Sequence, residues 1–94
     1  MAGSGHGPSL RIDKFLLFAR LCKSRSNAQK LAEDGHIRVN GRRIERAHAP
    51  VRPSDLITFP HGDAVRVVRV VALPARRGTA PEAQACYEEL TIGG

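Results

Sequence analysis

Within HIRVNGRRI, residues 36–44, the pair Asn40-Gly41 is the tightest local constraint on the chain. Ile37 and Val39 alternate with His36 and Arg38, the two turn residues tolerate positive φ, and Arg42, Arg43 and Ile44 follow. That order specifies a β-hairpin with a two-residue turn. Two isolated strands this short are marginal in water. Ile37, Val39 and Ile44 therefore need a cover, while three arginines and a histidine are left for the other side.

The cover is written just before the hairpin. In IDKFLLFARL, residues 12–21, Ile12, Phe15, Leu16 and Ala19 recur at i, i+3, i+4 and i+7, which predicts a helix with a wide apolar stripe. Asp13 falls in its first turn, where the helix dipole favours a carboxylate, and Arg20 in its last. CKSRSNAQKLAEDG, residues 22–35, predicts a second helix. Ser24 or Ser26 is its N-cap, Ser26 and Gln29 have capping-box spacing, and Gly35 supplies the residue at which it stops. Ala28, Leu31 and Ala32 form a narrow stripe of mostly small residues, suited to close packing on the first helix.

Beyond the hairpin, Pro53-Ser54-Asp55 predicts a turn, Leu56–Phe59 a short strand, and residues 60–63 a second turn. AVRVVRVVAL, residues 64–73, is a β-branched strand interrupted by Arg66 and Arg69. Strict alternation puts those two on opposite faces, and either a bulge or an exposed edge would reconcile them. Thr79 and Glu82 have capping-box spacing around Pro81, and Ala83, Cys86, Tyr87 and Leu90 form a helical stripe. The expected fold is α+β: a two-helix unit, then a β-hairpin and a small, mostly antiparallel sheet, with a short C-terminal helix closing over it. Residues 1–9, small and Gly-rich, are expected to be a flexible N-terminal segment, 10–74 the folded domain, and 75–94 a linker and C-terminal helix.

At 94 residues the chain holds one modest core, too little for a catalytic domain beside a recognition domain. Its net charge of +6 is unevenly placed. Residues 11–46 carry ten Lys/Arg against four acids, whereas the remainder balances. Such one-sidedness is the electrostatic footprint of a nucleic-acid binder. The segment Lys23-Ser24-Arg25-Ser26 places two cations and two hydroxyls at a helix start, where free N–H groups already favour a phosphate oxygen. An ordinary capped helix start is the plainer reading of those four residues alone. The arginines of the hairpin, projecting beside that start, would extend it into a basic surface.

Other functions lack support in the residues. The chain has no Trp, and Phe15, Phe18 and Phe59 sit in apolar patterns, so an aromatic platform for single strands is disfavoured against recognition of structured RNA by backbone and shape. His6, His36, His48, His61, Cys22 and Cys86 show no metal-ligand spacing, and no catalytic grouping of Ser, His, Asp or Cys can be argued. No enzyme activity, cofactor, metal, membrane or small-molecule substrate is expected. Two distant cysteines and the lack of a signal-like start point to a reduced, cytoplasmic setting.

Taken together, Arg11-Ile12-Asp13-Lys14, Ala19-Arg20, Lys23-Ser24-Arg25-Ser26, Gly35-His36-Ile37-Arg38-Val39-Asn40-Gly41 and the Pro53-Ser54-Asp55 turn closely resemble the S4-type RNA-binding domain, also called the alpha-L motif. The resemblance is strongest to small stand-alone bacterial members of the ribosome-associated, heat-shock type. It implies that residues 10–74 form the S4-type domain, that two helices and the hairpin make the RNA-binding face, and that the partner is structured RNA, ribosomal RNA on the large subunit above all. Carried over by position, the RNA contacts are Arg11, Lys14, Arg20, Lys23, Ser24, Arg25, Ser26, Lys30, Arg38, Asn40, Arg42 and Arg43. Asn40 has a structural role in the turn as well. Phe15 and Leu17 stand where the family often has Trp, which keeps packing but removes stacking; the long basic tail of enteric members is also missing, which leaves the particular ribosomal task open. The expected function is thus non-catalytic RNA binding by a monomer. A recognition module working beside a separate RNA-modifying enzyme is one alternative, and a protein-interaction adaptor using the C-terminal helix stripe is another.

Overall fold

The apolar stripes of the two helices meet as their spacing dictates, with Ile12, Phe15, Leu16, Ala28 and Ala32 all withdrawn from solvent. A computed structural model describes residues 7–90; most of the expected N-terminal segment and the end of the expected C-terminal helix lie outside it. The elements run β1 (Leu10–Arg11), α1 (Ile12–Phe18), α2 (Arg25–Glu33), β2 (Ile37–Val39), β3 (Arg42–Ile44), β4 (Pro50–Val51), β5 (Leu56–His61), β6 (Ala64–Val70), α3 (Ala80–Gln84) and β7 (Tyr87–Leu90). β1 pairs with β4, and a five-stranded antiparallel sheet has the order β3-β2-β5-β6-β7. One core between α1–α2 and this sheet takes in Ile37, Ile57, Phe59, Val68 and Val70.

Both helices stop in the same way. At the end of α2 the N–H of Gly35 (φ +78°) donates to Ala32 O and that of His36 to Leu31 O, which closes the helix with a left-handed residue and launches β2 directly. At the end of α1 the left-handed residue is Arg20 (φ +59°), whose N–H donates to Leu17 O while that of Leu21 donates to Leu16 O. Arg20 is therefore not in the last helical turn, as its spacing predicts, but beyond it. The buried Leu21 and Cys22 that follow compensate the left-handed backbone by filling the core.

The hairpin forms as expected, with Asn40 at φ +53° and Gly41 at φ +84°. The Pro53-Ser54 turn also forms, with Ser54 at φ +81° and the Asp55 N–H donating to Arg52 O. These two turns are locked together. Asn40 Nδ2 donates to Asp55 Oδ1 at 3.0 Å, and Asn40 Oδ1 accepts from the Leu56 N–H at 2.9 Å.

The C-terminal region departs from expectation. The capping box at Thr79 and Glu82 does start a helix, but α3 ends at Gln84 and the chain then turns into β7, which pairs with β6 from Val67↔Leu90 to Val70↔Tyr87. Tyr87 and Leu90 thus belong to a strand, and the stripe on which an adaptor helix was expected does not exist. The cause is an open edge: β6 offers a β-branched strand with unpaired backbone groups, and β7 satisfies them. Arg66 and Arg69 need neither a bulge nor an exposed edge. They lie on opposite faces of a regularly paired β6, Arg66 bonded to Glu89 and lying 5.6 Å from the Phe59 ring centroid, Arg69 bonded to Glu88 at 3.1 Å.

Candidate nucleic-acid interface

Asp13 organises the helical half. Its carboxylate is fully buried yet accepts from both sides: Arg11 Nε at 3.0 Å and Arg11 Nη2 at 2.9 Å in a two-pronged contact, Arg25 Nε at 3.4 Å and Gln29 Nε2 at 3.2 Å from α2, and the Lys14 N–H at 2.8 Å. Burial alone would push this carboxyl up, but the bonds from Arg11, Gln29 and Arg25 together outweigh it and hold it below its ordinary value. The acid therefore remains charged and orients two guanidiniums whose side chains stay 40% and 45% exposed. Each retains N–H donors for another oxyanion.

The structure distributes the expected contact residues unequally. Arg11 and Arg25 come together on Asp13, and the side chains of Lys14, Lys23, Ser26 and Arg42 have no polar partner among the described residues. Ser24, not Ser26, is the N-cap of α2, its hydroxyl accepting the Asn27 N–H at 3.1 Å. Arg38 and Arg43 face each other across β2 and β3, like charges placed side by side. Arg38 has only a long 3.5 Å approach to Gly41 O, whereas Arg43 bonds Glu45 at 2.8 Å. Lys30 pairs with Asp34 one turn along α2. Arg20 points elsewhere, its Nε donating to Gly78 O at 2.8 Å, so it ties the end of α1 to the segment before α3. Asn40 has both ends of its amide occupied by the turn clamp, which gives it a structural role.

Asp13 and Gln29 are the residues that spacing arguments missed. The helix dipole accounts for an acid at position 13 but not for its burial. The available signal was a lone aspartate between Arg11 and Lys14, adjacent to the apolar stripe, in a segment rich in unpaired cations.

Two guanidiniums aimed by a buried acid, the partnerless Lys14 on α1 and Lys23 just before α2, and an arginine-bearing hairpin give this small α+β module a cationic face. Comparison gives it a family: the S4 domain model matches residues 10–57, and the chain belongs to that family. It is 40% identical over 80 residues to a heat shock protein 15 homolog of Aeromonas salmonicida, covering 85% of this chain and 60% of that protein. It is 38% identical over 61 residues to the RQC P-site tRNA stabilizing factor of Bacillus subtilis, covering 65% of this chain and 70% of that one. A trimeric structure of Vibrio cholerae heat shock protein 15 superposes with a TM-score of 0.82 at 32% identity, covering 88% of this chain and 83% of that one. The chain thus spans about 60% of the length of the heat shock protein 15 relatives it matches.

Proposed function

We propose that this chain binds structured RNA without catalysis, on the ribosome, through the face formed by α1, α2 and the β2–β3 hairpin. The observation that carries the reading is the Asp13 cluster, which fixes Arg11 and Arg25 while leaving them able to grip phosphate oxygens. The excess of cations in residues 11–46 supports it, as do relatives named for heat shock and for stabilising a P-site tRNA. The partner we propose is the large subunit, with ribosomal RNA supplying the phosphates, and the setting is the cytoplasm. No helix of the described residues is long and apolar enough to cross a membrane. A monomer is our proposal for the working state, supported by Val65 and Val71 being the only strongly exposed large apolar side chains among the described residues.

Charge reversal at two positions tests the face. Arg25→Glu puts a repelling charge beside Asp13 and should weaken binding to purified large subunits at least tenfold, about 1.4 kcal/mol. Arg76→Glu changes net charge equally, but Arg76 lies before α3 with only a 3.8 Å contact to Glu82, so it acts through a screened field and should cost far less. Equal losses, in variants shown by circular dichroism to be folded, would refute the face.

A further inference from the structure

Between the first turn of α2 and the β5–β6 turn the structure opens a cleft of about 800 Å³, within the roughly 300–1,000 Å³ of small-molecule sites. Its apolar lining comes from Leu21, Leu31 and Pro60, and Lys23, Asn27 and His61 also line it. No acidic residue lines it. The helix terminus is not the feature that matters here, because Ser24 already caps it. The side chains of Lys23 and Asn27 make no hydrogen bond or ion pair among the described residues, which distinguishes them from the locked amide of Asn40, whereas His61 lies within the electrostatic reach of Glu89. Cys22 also lines the cleft, but burial pushes its thiol up to about 11, so it contributes apolar surface and no nucleophile.

We infer that this cleft takes one unpaired, unstacked nucleotide of the bound RNA, with the base against Leu21, Leu31 and Pro60, the Asn27 amide on the base edge, and Lys23 and His61 at the phosphate. The inference rests on the RNA-binding reading and deepens it. The chemistry fits a nucleotide in three ways. An apolar lining suits a flat base taken out of its stack, an amide carries both a donor and an acceptor for its edge, and Lys23, a cation at the rim with no ion-pair partner among the described residues, suits the phosphate. Lys23 is also two residues from Arg25, so a strand gripped at the Asp13 cluster passes the cleft without a long detour.

The test is an amide-resolved NMR titration of the full chain with uridine 5′-monophosphate and, separately, with inorganic phosphate, alongside binding of a fully paired hairpin RNA. The nucleotide should give saturable shifts at Lys23, Asn27, His61 and Gly62, at least fivefold tighter than phosphate. Asn27→Leu should weaken that binding at least threefold while the paired RNA still binds as before, whereas Lys23→Ala, which removes a cation of the basic face, should weaken both. Paired-RNA binding with no nucleotide response at these amides, or with phosphate acting equally, would overturn the cleft alone. Failure of both ligands would overturn the cleft and the RNA reading together.

Discussion

Around Asp13 two arginines share one carboxylate; between β6 and β7 each arginine has its own, Arg66 with Glu89 and Arg69 with Glu88. The residue types are the same, but the proportions and the burial differ. In the helical half the acid is buried, so it works as an internal anchor and leaves the outward donors of its arginines uncommitted. In the C-terminal half the acids are exposed partners that neutralise the cations of β6 and help hold a strand against an open edge. A basic surface thus depends on where the acids sit as much as on how many cations there are. Like charges can be concentrated on one face when a buried opposite charge fixes them from beneath.

The comparison fails first at Asp13. Asp13→Ala removes the common acceptor of Arg11, Arg25 and Gln29, and should destabilise the fold by about 2–3 kcal/mol in urea denaturation while also weakening RNA binding. An effect no larger than that of truncating Glu88 would show that the two regions are equivalent after all. The hairpin clamp comes next. Asn40→Val puts a β-branched residue at φ +53° and strips two hydrogen bonds from Asp55 and Leu56, so a loss of about 2 kcal/mol is expected, against almost none for the exposed Arg42→Ala.

Acid sharpens the contrast between the regions. Because the Asp13 carboxyl is held below its ordinary value in the folded chain, its stabilisation is present above the unfolded pKa near 4 and is lost as pH falls through the depressed folded value. Urea midpoints measured from pH 6 to pH 2 should therefore fall less steeply in Asp13→Asn than in the parent chain. An unchanged acid limb would mean that the cluster holds no charge. The smallest effect is expected at Glu88→Ala, under about 0.5 kcal/mol, because both members of that pair face solvent. A loss above 1 kcal/mol would make the β6–β7 pairs structural anchors like Asp13.

Local rules sufficed wherever local geometry decides the structure. Asn40-Gly41, Pro53-Ser54 and Gly35 each impose a backbone conformation by themselves, and the apolar stripe of α1 finds its partner only a few residues further on. In the C-terminal segment Ala83, Cys86, Tyr87 and Leu90 satisfy a helical period that a free strand edge overrides. Val71 N–H and Ala72 N–H both donate to Cys86 O, and nothing in the segment's own residues announces that partner. The Asp13 cluster was hidden for a related reason. An acid's burial depends on the approach of α2, and Gln29 looked like a capping residue until Ser24 proved to be the cap. Arg20, an RNA contact by the family resemblance, also ties the end of α1 to Gly78 O, a partner far along the chain that local spacing does not reveal.

The hairpin joins the rest of the sheet through very little ladder. β2 and β5 share two paired positions, Arg38↔Thr58 and Val39↔Ile57, where β5 and β6 share six, and the Asn40 clamp reinforces the short seam at one end only. Such a seam opens before the remainder does. In native-state hydrogen exchange the amides of residues 37–44 should lose protection at a lower opening free energy than those of residues 56–70. The arginine-bearing ribbon would then behave as a hinged flap that adjusts to an uneven polyanion while Asp13 keeps the helical grip rigid.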